Sequence, residues 1–142
     1  MSQVQAVLEQ VGMSTSKATV RTHTALVDRP TAKGGADRGP MGGEYLLVAL
    51  GGCFMSNLLA AARAREAAIS NARLTVTGTL EGTPERFTTF TLNVSATCSD
   101  PEMLPKLVTI AERACIVSNT LKEVGPISIV LEPSSAGQTV KA

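Results

Sequence analysis

The longest apolar stretch of the chain runs from Glu44 to Arg63 and reads Glu-Tyr-Leu-Leu-Val-Ala-Leu-Gly-Gly-Cys-Phe-Met-Ser-Asn-Leu-Leu-Ala-Ala-Ala-Arg. It is apolar nearly all round for about five helical turns, so a helix here needs cover on every side. Its length reaches the ~17 to 25 residues of a membrane span. Gly51, Gly52, Ser56 and Asn57 interrupt its middle, however, and small residues suit close packing between elements. The pattern predicts a buried central helix covered by a sheet or by a second subunit, with no membrane involved.

Around this helix the period changes. Residues 72–81 and 86–98 alternate in part and are separated by Gly82-Thr83-Pro84, which predicts an antiparallel hairpin. Residues 17–27 are rich in β-branched side chains and predict a strand ending at the turn signal Asp28-Arg29-Pro30. Val4, Val7, Leu8 and Val11 fall at helical spacing, which predicts a short amphipathic arm within residues 1–16. Residues 31–43 form a glycine-rich loop. Asp100-Pro101-Glu102 predicts the start of a helix running towards Cys115, followed by a second short helix at about 118–124 that Gly125-Pro126 stops. A last strand follows at 127–131, and residues 133–142 are polar and predict a loose tail. One α+β domain over residues 1–142 is the expectation.

The composition narrows the classes of function. Thirteen Lys and Arg against twelve Asp and Glu leave a formal net charge of +1 with no block of like charge, so a nucleic-acid footprint is missing. Residues 1–10 lack the basic start and apolar run of a secretory signal, and a cytoplasmic location is the expectation. Three cysteines, Cys53, Cys98 and Cys115, are then too few and of the wrong parity for a structural disulfide framework. Catalytic, redox or merely buried roles remain open for each. No Cys-x-x-Cys pair exists and His23 is the sole histidine, so neither a metal site nor a bound cofactor is expected. The glycine-rich loop has no Gly-Lys-Ser/Thr ending to cradle a phosphate.

Taken in order, Asp28-Arg-Pro, Gly34-Gly35, Gly39-Pro40, the helix from Glu44 to Cys53, and the late Cys115-Ile-Val-Ser-Asn119 resemble the OsmC/Ohr family of osmotically inducible and organic hydroperoxide resistance proteins. The resemblance covers residues 22–131. It implies an OsmC-like fold, an intertwined homodimer whose two long central helices are wrapped by antiparallel sheets of both subunits, with active sites at the interface. It also implies a thiol-dependent peroxidase. Cys53 attacks an organic hydroperoxide and becomes a sulfenic acid, Cys115 condenses with it to a disulfide, and a small dithiol or a lipoylated protein recycles the pair. A thiolate at Cys53 needs a stabilising group, which the family supplies as an Arg paired with a Glu. Glu44 matches the acid that opens the helix, although in the peroxidase subgroup the acid can fall one residue earlier, at Gly43 here. Arg21, Arg29 and Arg38 are the candidates for the arginine. Phe54, Met55 and Leu58 are candidates to line a pocket for hydrophobic hydroperoxides. The rival reading keeps the dimeric fold with little peroxidase activity, as a small-molecule binding or redox-sensing protein.

Overall fold

The computed structural model describes residues 1–133, which form six strands, three α-helices and one 3-10 turn. The strands lie in two three-stranded sheets. Two compact units result, residues 1–46 and residues 47 onward. Residues 134–142, most of the expected tail, lie outside the described residues.

The first unit is an antiparallel meander of β1 (Val7–Gln10), β2 (Ser16–Val20) and β3 (His23–Val27). The arm read as helical from 1–11 is therefore corrected to a strand. A window of one or two turns does not separate the two periods, and the backbone groups of Val7 to Gln10 pair instead with Thr19 to Ser16 of β2. The single strand expected at 17–27 is also corrected, because Val20 pairs with His23 across a two-residue turn. Arg21 takes the left-handed conformation there, at φ 56°. Without Gly, Asn or Asp at that turn the sequence carries no hairpin signal.

Asp28 organises the loop that follows. Its buried carboxylate accepts the Thr15 hydroxyl at 2.8 Å and the backbone N–H groups of Arg29 at 2.7 Å and Arg38 at 3.1 Å. The Asp28 N–H in turn donates to the Pro40 carbonyl at 3.1 Å. Gly35 sits so close to the Arg29 backbone that any Cβ there would collide with it. The Tyr45 hydroxyl donates to the Leu26 carbonyl at 2.6 Å and ties the start of the long helix to β3.

That helix, α1, spans Gly42–Ala64 and matches the predicted one closely. Within the chain its burial is confined to Leu50, Gly51, Phe54, Leu58, Ala61 and Ala62, one face at helical spacing. Val48 on another face stays 60% exposed. In the second unit β4 (Ile69–Glu81) and β5 (Arg86–Cys98) form the expected hairpin, with Gly82 at φ 89° in its turn. Gly51 lets α1 approach β4 closely, since a Cβ would come within 2.8 Å of the Val76 side chain. Strand β5 alternates cleanly, burying Phe90, Leu92, Val94, Ala96 and Cys98. The short β6 (Ile127–Leu131) joins β5 in parallel, a pairing that requires a crossover.

Two helices make that crossover, α2 (Leu104–Ala114) and α3 (Ile116–Leu121). The first starts three residues later than Asp100-Pro101 predicts. Asp100 caps only a turn, accepting the Glu102 N–H at 3.1 Å, and the regular helix waits until Pro105 can occupy its first turn, where a missing N–H costs nothing. Helix α3 starts two residues earlier than predicted because Cys115 itself caps it.

Two outcomes follow from this architecture. Phe54→Ala empties a fully buried position and costs about 3–5 kcal/mol, read as a lower urea midpoint. Burial opposes ionisation of Asp28, but hydrogen bonds from Ser14, Thr15 and the Arg29 and Arg38 backbones outweigh it and hold the carboxyl far below its ordinary 3.8. A depressed value stabilises the fold above the ordinary one and loses that contribution as the pH falls below it. Urea midpoints taken between pH 6 and pH 2 decline in the native chain, and Asp28→Asn flattens that decline.

Candidate redox site

Cys53 occupies the fourth turn of α1, one position before Phe54 of the buried stripe, and is half-buried. Cys115 stands where α2 breaks and α3 begins, with an extended backbone at φ −75° and ψ 106°. Its own N–H donates to the Glu112 carbonyl at 3.2 Å, closing α2. Its sulfur accepts the Ser118 N–H at 3.4 Å and so caps α3. The structure brings the two residues together: both are free thiols, and their side chains are neighbours. Cys98, fully buried at the end of β5, is a core side chain.

Two polar groups at this pair have no chemical role in the sequence reading. The Asn57 amide Nδ2 donates to the Cys53 carbonyl at 2.9 Å and to the Cys53 sulfur at 3.7 Å. The i, i+4 spacing from Cys53 was the available signal, because residues so spaced on a helix are neighbours. Ser118 closes the Cys-x-x-Ser motif, and its hydroxyl is buried with no hydrogen-bond partner among the described residues.

The remaining candidates lie in the first unit. Glu44 is exposed, and its carboxylate accepts the Met41 N–H at 2.8 Å, capping α1. Arg21 sits in the β2–β3 turn, while Arg29 and Arg38 lend their backbone N–H groups to Asp28. Glu44 forms no ion pair with Arg21, Arg29 or Arg38 among the described residues. The expected pocket lining is corrected as well. An apolar trough of about 430 Å³ is lined by Leu47, Val48, Gly51, Gly52, Met55, Leu74 and Val76. Met55 is in it, whereas Phe54 and Leu58 point into the core and are fully buried. At ~100° per residue, Gly51 and Met55 stand about 200° around α1 from Cys53, so the trough opens on the far side of the helix from the thiol.

The sequence over residues 32–130 matches the family model described as OsmC-like protein. The chain belongs to this family. An OsmC-like protein from Mycoplasma pneumoniae is 18% identical with a TM-score of 0.80, over 94% of this chain and 98% of that one. An OsmC-like protein of unknown function from Vibrio cholerae is 14% identical with a TM-score of 0.78, over 92% and 99%. The organic hydroperoxide resistance protein OhrB of Bacillus subtilis is 16% identical with a TM-score of 0.64, over 92% and 98%. These likenesses establish the OsmC-like fold. No curated protein matches the sequence.

In this OsmC-like chain the two thiols stand in unlike surroundings. Burial pushes the Cys115 thiol up from its ordinary 9.0; the Ser118 N–H acts against this, and the neighbouring Cys53 adds to it. The folded chain therefore favours Cys115 as the protonated thiol, which can donate to its neighbour. A raised value stabilises the fold below the ordinary one and loses that contribution as the pH rises through the folded value. Urea midpoints measured from pH 7 to pH 11 decline above about pH 9, and the decline is shallower in Cys115→Ser.

Proposed function

We propose that this OsmC-like protein is a thiol-dependent peroxidase that reduces organic hydroperoxides to alcohols in oxidative-stress defence, as a cytoplasmic homodimer. The observation that carries the proposal is that Cys53 and Cys115, residues 62 positions apart in sequence on different elements, are neighbours in the fold. The half-buried thiol suits the attacking role and the fully buried one the resolving role. The Cys53 thiolate attacks the distal oxygen of ROOH, the O–O bond breaks, and ROH leaves after protonation. Cys53 is then a sulfenic acid, and Cys115 displaces its oxygen as water to form the disulfide. The peroxide gains the two electrons that the dithiol loses. A small external dithiol or a lipoylated protein returns them by exchange through a mixed disulfide. Structural likeness to organic hydroperoxide resistance proteins, OhrB among them, supports the substrate class.

The homodimer rests on α1. Val48 and Leu59 are 60% and 41% exposed beside an apolar trough, a surface that a second copy would cover. The dimer is expected to run at twice the chain mass in light scattering, and Val48→Glu to shift it towards monomer.

A second reading, a dimeric binding or redox-sensing protein with little turnover, is favoured by two observations. The apolar trough is not lined by either cysteine, and the Glu44 carboxylate is committed to a helix cap. Cumene hydroperoxide and dihydrolipoamide separate the two. For a peroxidase, peroxide loss is rapid and falls to the thiol background in Cys53→Ser. With the dithiol left out, Cys115→Ser reduces about one equivalent and stalls as a sulfenic acid on Cys53 that dimedone traps. Peroxide loss at the background rate in both the native chain and Cys53→Ser leaves the binding or sensing reading.

A further inference from the structure

We infer that Asn57 is the hydrogen-bond donor that holds the Cys53 sulfur in its ionised form and fixes its direction. The inference rests on Cys53 being the reactive thiol of the proposed site. A thiolate in partly apolar surroundings needs a donor or a positive charge, and donors to the charged form favour it. Among the described residues from 47 onward, neither sulfur of the pair is bonded to Lys or Arg. Asn57 Nδ2 donates to the Cys53 sulfur at 3.7 Å, and the Ser118 N–H to that of Cys115 at 3.4 Å.

The orientation of the Asn57 amide is fixed by its second bond. Nδ2 donates to the Cys53 carbonyl at 2.9 Å, and turning the amide over would set two carbonyl oxygens against each other. The same nitrogen therefore reaches both the backbone and the sulfur of one residue. As negative charge grows on the sulfur, this donor is already in place and the bond strengthens with little rearrangement. Its residue is also short and held half-buried on the same helix, so the donor moves with Cys53. In this unit the titratable group beside Cys53 is Cys115. Asn57 itself is neutral, so the effect is one of a fixed dipole.

The test is the rate of Cys53 alkylation by iodoacetamide from pH 5 to pH 10, read by mass spectrometry of the Cys53 peptide. It uses the full chain with Cys115→Ser, so that one thiol of the pair titrates. Losing a donor to a charged acceptor moves the ionisation midpoint up by about one pH unit. The thiolate fraction at pH 7 then falls about tenfold, while the more basic thiolate is about threefold more nucleophilic. Asn57→Leu should thus alkylate about threefold slower than its parent at pH 7, and this difference should shrink and then reverse at high pH, where both thiols are ionised and the variant's is the more nucleophilic. Asn57→Asp, which keeps the shape and adds a negative charge, should be slower still at pH 7. Crossing rate curves support the inference, since a general loosening of α1 changes the rate in one direction at every pH. Superimposed or parallel curves overturn it, and so does an Asn57→Asp protein that alkylates at the parent rate at pH 7. Peroxide takes no part in this measurement. A native chain without peroxidase turnover would sink the proposed activity, while crossing curves in the same protein would still establish the Asn57 donor.

Discussion

The rotation of α1 about its own axis decides most of what this protein presents. Leu50, Phe54, Leu58 and Ala61 form the stripe that must leave water, and the missing side chain of Gly51 lets the helix settle against Leu74 and Val76 of β4. Once that stripe is fixed, 3.6 residues per turn assign every other position. Cys53 falls at the border of the buried face, half-covered, and Asn57 one turn on falls beside it. Val48 and Gly52 fall outside. A one-residue change in which side of the helix faced β4 would carry the thiol about 100° around the axis and away from α3.

The parts of the fold that the sequence displayed are those whose signal is long or chemically sharp. A run of twenty mostly apolar residues admits only a helix, and β5 with its clean alternation is bounded at Arg86 and Cys98 as the sequence predicts. Residues 7–27 were misread because their signals are short. Four exposed residues of β1 carry little pattern of their own and become a strand only because β2 offers partners. The β2–β3 turn uses Arg21 and Thr22, residues that announce nothing, and the left-handed Arg21 is tolerated once the strands on both sides are paired. The start of α2 was misplaced because Asp100-Pro101 and Pro105 both suit a first turn, and the later proline prevails.

At the site, the two candidate thiols were legible and their polar surroundings were not. Cys53 and Cys115 stood out through their motifs, and the fold makes them neighbours. Glu44 stood out for the same reason, yet its carboxylate closes the first turn of α1 on Met41. Asn57 had looked like an interruption in an apolar helix, when it is the side chain that reaches the sulfur. Such a role depends on the rotamers of two side chains one turn apart, which residue types alone do not specify. The phenylalanine and leucine proposed for the pocket wall are core for a related reason. Apolar residues on one helix differ in role only by angle, and that angle is set by the packing partner.

Cys115 lies in the crossover between two strands that pair in parallel, while Cys53 lies before the hairpin that precedes it. A bond between these sulfurs would close a loop of roughly sixty residues that contains all of β4, β5 and α2. In the chain-entropy view, tying the ends of such a loop removes about 4 kcal/mol of freedom from the unfolded ensemble. The oxidised protein would then be the more robust form and the reduced one the more pliable. An oxidant that consumed the thiols would at the same moment brace the fold against unfolding, and the incoming reductant would have to work against that added stability.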